Sequence, residues 1–285
     1  MTAETHTLTT DGAEITYDVR PGDGPVLLLI GSPMDASGFV TLASHFPDRK
    51  IVTYDPRGVS RSKLTGGQTT STPEQHGDDL SRVIDAVGGG PVDVFASSGG
   101  AVNALALVTA HPEQVSTLVA HEPPVVAAVP DHANASAAVH AISDLYQKSG
   151  SGPAMVKFIS IVGHQGEIPA GWIDQPGPSP EDFGMSSDDD GSRDDILLGQ
   201  NLVSCTHYAP DFARLREGST RIVVGVGEES KGELAHRAGL GVAAGLGIEA
   251  TPFPSGHAGF LGGEFGQQGD PDNFAAKLRE VLDER

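Results

Sequence analysis

The chain reads as short apolar runs alternating with helix-period segments, interrupted once by a long stretch that keeps to neither pattern. Residues 6–9 and 14–20 alternate apolar and polar positions on either side of Asp11-Gly12, which predicts an antiparallel hairpin. Residues 26–30 carry no polar position, as a strand buried on both faces requires. A tight turn over Gly31-Ser32-Pro33-Met34, a helix over 35–46, a strand over 50–54 and a polar turn over 55–62 follow. Thr72 before Pro73 predicts the start of a helix that runs to about Val87, where Gly88-Gly89-Gly90 stops it. Residues 92–97 predict the next strand, 99–111 a helix of small and apolar residues, and 115–120 a strand ending in His121-Glu122-Pro123-Pro124. Strand and helix in regular succession predict an α/β fold with a mainly parallel central sheet and helices on both faces.

Beyond Pro124 the succession stops. Helices are expected over 134–148, 153–164 and 194–207, and the Pro-, Gly-, Ser- and Asp-rich segment 169–195 has too few apolar residues to build a core of its own. The pattern resumes with a strand over 221–226, a helix over 231–246, a strand over 248–253 and a helix over 271–283. The expected organisation is a core in two parts, residues 1–122 and 218–285, with an inserted helical lid over 123–217.

Composition narrows the partners. Asp and Glu number 38 against 18 Lys and Arg, a net charge of -20 that opposes approach to phosphate backbones and anionic lipid, so neither nucleic acid nor membrane is an expected partner. The lone cysteine, Cys205, has no second cysteine to pair with and is expected to pack in a helix. The first residues lack the basic and apolar regions of a secretory signal, and no apolar run is long enough to span a bilayer, which together lead to the expectation of a cytoplasmic protein.

The candidate chemistry centres on Ser98. Strand 92–97 runs into the following helix with no loop between them, and a serine at such a turn has its hydroxyl lifted above the sheet on strained backbone, provided that the residues two before and two after are small. Ala96 and Gly100 satisfy this for Ser98; a register centred on Ser97 would place Phe95 at a position its ring cannot occupy. A serine needs a base to take its proton. Of 11 histidines, His257 stands in the glycine-flanked loop directly after the last strand, at the sheet edge where Ser98 is expected.

Together, Ala96 to Gly100, the Asp55-Pro56-Arg57-Gly58 turn leading to Ser60 and Ser62, and the Gly256-His257 loop resemble the α/β-hydrolase superfamily, in its order and over nearly the whole chain outside the expected lid. The resemblance implies an oxyanion site made by the backbone N–H groups of Ser32 and Gly99. It also implies an acid after the strand over 221–226, but there Gly227-Glu228-Glu229 leaves Ser230 in the acid's slot. Some members take the acid from the end of the preceding core strand, which is Glu122 here; Glu122 is favoured and Glu229 held in reserve.

Rival motifs fail on their residues. Gly225 to Ser230 lacks the third glycine of a dinucleotide loop and carries two glutamates that would repel a pyrophosphate. Asp188-Asp189-Asp190-Gly191 would put Ser186 and Leu197 at the ends of a calcium loop. No metal or cofactor is expected. The reading is a serine hydrolase acting on a small-molecule ester or related acyl bond, with Ser98 as nucleophile, His257 as base and Glu122 orienting it. The serine disfavours epoxide hydrolysis and dehalogenation, which need a carboxylate nucleophile. Lactone, amide and carbon–carbon hydrolysis stay open, and Met155, Phe158 and Trp172 are expected to make part of the pocket apolar. The Ser230 departure motivates an alternative, a non-catalytic small-molecule-binding member of the same fold.

Overall fold

The computed structural model describes residues 2–67 and 70–284. The hairpin forms as expected, with β1 (Glu4–Thr10) antiparallel to β2 (Ala13–Arg20). β3 (Gly24–Ile30) follows, and then a 3-10 turn over Ala36–Phe39 leads into α1 (Val40–Ser44), so the helix expected over 35–46 is split at Phe39, whose φ of -112° is not helical. β4 (Arg49–Tyr54) and the two-residue β5 (Lys63–Leu64), which sequence reading missed, complete the first part.

α2 (Pro73–Ala86) starts at Thr72 in a capping box: the Thr72 hydroxyl accepts from the Gln75 N–H and the Gln75 side chain accepts from the Thr72 N–H. β6 (Val92–Ser97), α3 (Gly99–Ala110) and β7 (Val115–His121) lie where the pattern puts them. The insertion holds α4 (His132–Ser149), α5 (Ser151–Val162), a π-helical turn over Leu197–Asn201 and α6 (Leu202–Thr206). The chain returns to the sheet through α7 (Phe212–Glu217), another element the pattern did not show, whose Leu215 joins the main core with Tyr208.

β8 (Arg221–Gly227), α8 (Leu234–Leu246), β9 (Thr251–Phe253) and α9 (Pro271–Asp283) end the chain. β9 is shorter than the expected 248–253 because Gly247, at φ 74°, turns the chain out of α8, and the Ile248 N–H is used in closing that helix on the Ala243 carbonyl.

The nine strands among the described residues make one sheet in the order β1-β2-β4-β3-β6-β7-β8-β9, with β5 beside β2; β1, β2 and β5 pair antiparallel, and β4, β3, β6, β7, β8 and β9 run parallel to one another. Successive side chains of one strand serve opposite faces. Leu28 and Ile30 pack under α2 and α3 with Val94, Ala96, Leu80 and Leu105, whereas Leu27 and Leu29 pack with Phe95, Phe253, Phe274 and Leu278 on the face of α1 and α9. A third cluster, with Ile142, Tyr146, Ile161 and Leu202, joins the insertion to Leu234 and Ala238 of α8. No described helix is long and apolar enough to cross a membrane.

The order decides where a site can form. β3 has β4 on one side and β6 on the other, so the connections leaving β3 and β6 part at their carboxyl ends and open a crevice between them.

Candidate active site

Ile30 pairs with Ala96, Ser97 with His121, His121 with Gly225, and Gly227 with Phe253. Counting outward from those pairs brings Ser32, Ser98, Glu122 and His257 to the same edge of the sheet. Their separation in sequence is thus cancelled by five adjacent parallel strands, β3, β6, β7, β8 and β9.

Ser98 sits at φ 56°, ψ -127°, a conformation costly for any residue with a Cβ, and its N–H still extends the ladder to the His121 carbonyl at 2.9 Å. The turn is possible because its neighbours are small. A Cβ on Gly99 would lie 2.5 Å from the Ser32 carbonyl oxygen, and one on Gly100 would lie 2.6 Å from that of Ile30. Ser97, the rejected register, is buried and faces His121, its Oγ 3.3 Å from Nδ1.

Glu122 is also left-handed, at φ 48°, and is held on one side by its N–H to the Gly225 carbonyl and on the other by Pro123. Its carboxylate is wholly buried. One oxygen accepts from the Gly227 N–H at 2.8 Å and from the Ser230 hydroxyl; the other meets His257 Nδ1 at 2.6 Å. Burial pushes the carboxyl pKa up, but the His257 hydrogen bond, the imidazoles of His121 and His257 and the Ser230 hydroxyl outweigh it and hold the group down to about 2. An ionised carboxylate on Nδ1 requires the proton there, which leaves Nε2 as an acceptor. Glu229 is exposed and accepts from Ser255.

Sequence reading treated Ser230 only as a lost acid. The structure shows the hydroxyl in that slot turned onto Glu122, at the end of β7, and the signal was present: a polar residue where the family pattern has a carboxylate. His121, buried to the point that its pKa falls to about 4, stacks 6.1 Å from the His257 ring within a cage that includes Phe95, Phe253 and Phe274. Nothing in the sequence marked it beyond its place before Glu122.

Ser32, Ser98, Gly99 and His257 line one cavity of about 570 Å³. No Ser98–His257 hydrogen bond is made among the described residues; the two groups meet across this space. The insertion contributes Phe158, Ile161, Val162, Leu202 and Asn201 to the wall. Asn201 donates from Nδ2 to Ser32 Oγ at 3.0 Å and was not foreseen, because it comes from the π-helical turn, whose i→i+5 bonding puts an extra residue in the turn and shifts the register of side chains. Cys205 is buried against Gly99, and burial raises its thiol to about 12, so it packs as a neutral group. Phe158 lines the cavity as expected, but Trp172 and Met155 do not: both pack in the insertion's own cluster. Among the described residues no group of three or more His, Cys, Asp or Glu is placed to hold a metal ion.

A parallel sheet reversing at β3, a serine on a strained strand-to-helix turn and a carboxylate-bound histidine after the last strand define a class, that of the α/β-hydrolase fold. Residues 24–152 match a family described by the α/β hydrolase fold. Over 125 residues, 43% of its length, the chain is 43% identical to an uncharacterised hydrolase, YraK, of Bacillus subtilis, and the matched stretch makes up 46% of that protein. The chain therefore spans about half the length of this curated relative. A thermophilic esterase from Thermogutta terrifontis superposes with a TM-score of 0.65 at 18% identity, covering 99% of this chain and 98% of the other. The carboxylesterase CesB of Bacillus subtilis superposes with a TM-score of 0.63 at 14% identity, over 99% and 92%. At these identities the likeness is one of fold.

Proposed function

We propose that this hydrolase cleaves a carboxylic ester or related acyl bond through an acyl-enzyme on Ser98. The observation that carries the reading is the 2.6 Å contact between His257 Nδ1 and the buried, ionised Glu122, which leaves Nε2 basic on the side of the shared cavity. In the proposed sequence Ser98 Oγ attacks the carbonyl carbon while Nε2 takes its proton, and the oxyanion is bound by the N–H groups of Ser32 and Gly99. The proton then passes from Nε2 to the leaving group. Water, deprotonated by the same nitrogen, releases the acid and restores Ser98. Residues 123–217 act in this proposal as the lid that roofs the cavity, and the esterase and carboxylesterase neighbours in fold support esters as the first substrates to try.

A fluorophosphonate probe tests the reading. Labelling of the wild type should vanish in Ser98→Ala, whose ester turnover should fall by at least about three orders of magnitude. Ser97→Ala should label normally. A folded wild type that takes up no probe and cleaves no ester would instead favour a non-catalytic binding protein.

A further inference from the structure

The cavity continues outward from Ser98 to a mouth with an apolar rim. Met34, Val162 and Phe265 line it there, and Val162 and Phe265 remain 36% and 59% exposed. Phe265 is held in this position against its backbone preference. It sits at φ 55°, ψ 24°, the left-handed region that a bulky residue avoids, between Gly263 at φ 121° and Gly266 at φ 71°. The loop around it is tied down. The Glu264 carboxylate accepts from the N–H groups of Thr41 at 2.8 Å and Gly262 at 2.6 Å, and Gly262 pairs with Gln268 in an antiparallel bridge. A Cβ on Gly38 would come within 3.1 Å of the Phe265 ring, so the ring rests on that glycine, with Met34 beside it. A strained residue whose ring is nevertheless left in contact with water is not there for packing.

The wall also lacks charge. Among the described residues no Asp, Glu, Lys or Arg lines the cavity, in a chain whose net charge is -20. Such a channel rewards removal of hydrocarbon from water along its length and offers no partner to a charged substituent at its outer end. We infer that Phe265, with Val162 and Met34, forms an outer subsite for the far end of a linear alkyl chain, so that longer-chain acyl compounds are preferred to short ones. The chemical class of the ligand rests on the acyl-transfer reading; the subsite itself does not require turnover.

The test separates the two. Calorimetric titration of full-length Ser98→Ala with butanoate, octanoate and decanoate reads binding without chemistry. Affinity should rise with chain length. Phe265→Ser in the same background should weaken decanoate about five- to tenfold, the worth of covering part of an aromatic ring, and leave butanoate unchanged. Phe265→Leu should restore most of the loss. In protein that retains Ser98, the same split should appear in KM for p-nitrophenyl decanoate against butanoate, with kcat unaltered. Equal losses at every chain length, or none, would overturn the subsite. A chain-length split in binding with no ester turnover would leave the subsite standing and remove the acyl-transfer reading. Binding to phosphatidylcholine vesicles that Phe265→Ser abolishes, without a split among soluble ligands, would assign the rim to a lipid surface and overturn the inference.

Discussion

A carboxylate with no exposure to solvent must replace its hydration from the protein, and Glu122 does so with the Gly227 N–H, the Ser230 hydroxyl and the His257 imidazole. Glu122→Gln keeps the volume but cannot compensate a charged imidazole, and turnover should fall by about four orders of magnitude. Glu229→Gln should stay within about a factor of three of wild type; kcat for both, with thermal melts to show folding, checks the assignment, and the reverse ranking would move the acid to the β8 loop. The same carboxylate couples folding to acid. Because its pKa is held near 2 in the folded chain, below the ordinary 4.5, it contributes stability above about pH 4.5 that is lost as the pH falls toward 2. Urea melts between pH 5 and 2 should therefore fall less steeply for Glu122→Gln than for wild type. Ser230→Ala removes one charge-assisted donor, and should cost about 1.5–3 kcal/mol of stability and raise the Glu122 pKa, with a smaller loss of turnover than Glu122→Gln. Ser230 was visible in sequence as a departure, but which oxygen its hydroxyl would meet depended on β7 and β8 being neighbours.

At the scale of elements, the turn between β6 and α3 is constrained, and its constraint is steric. Gly100→Ala inserts a Cβ about where the Ile30 carbonyl oxygen lies, and because backbone cannot withdraw as a flexible side chain can, the substitution should cost about 1–3 kcal/mol in a chemical melt. A loss below a few tenths would show that β3 and the elbow can part. Elements buried on both faces or bounded by caps were readable from the chain: α9 over Pro271–Asp283 matches its expected bounds, and α2 begins at the Thr72 cap. The misses share one physical cause. α7, β5 and the π-helical turn are short, so their existence depends on contacts made after folding: Leu215 against the main core, Lys63–Leu64 on the edge of β2, Asn201 on Ser32.

Across the whole molecule, packing is uneven. Residues 169–195 consist largely of turns with exposed side chains, anchored by buried Trp172 at one end and by the Tyr146 hydroxyl on the Asp195 N–H at the other. Between those anchors the Arg193–Asp189 pair is local, four residues apart, and the bonds to α4 and α5, from Arg193 to the Gln147 carbonyl and from Lys157 to the Gln175 carbonyl, are exposed. Limited digestion with a broad-specificity protease should therefore cut first between 173 and 192, while β6 and α3, buried from Val92 to Ser97 and from Gly99 to Val108, should be cut last. Mass spectrometry of the first fragments checks the order, and an initial cut within β6 or α3 would contradict it.

Local sequence was enough to place the β/α succession and the strained serine, because both rest on neighbours in the chain: apolar runs that only a buried strand accommodates, and small residues two positions either side of Ser98. It was also enough to favour His257, in the loop after the last strand, whereas Glu122 was favoured through the family resemblance. Tertiary structure decided what those residues do to one another. The 2.6 Å contact between Glu122 and His257 spans 135 residues of chain, and the Ser230 and Gly227 bonds to that carboxylate span 108 and 105. Distances of that kind are set by strand order and register, which no local pattern encodes. The same holds for the wall of the cavity, where Asn201 and Phe158 reach the crevice and Trp172 turns away from it, because which face of a helix meets a site is decided only when the insertion docks on α8 and the sheet edge.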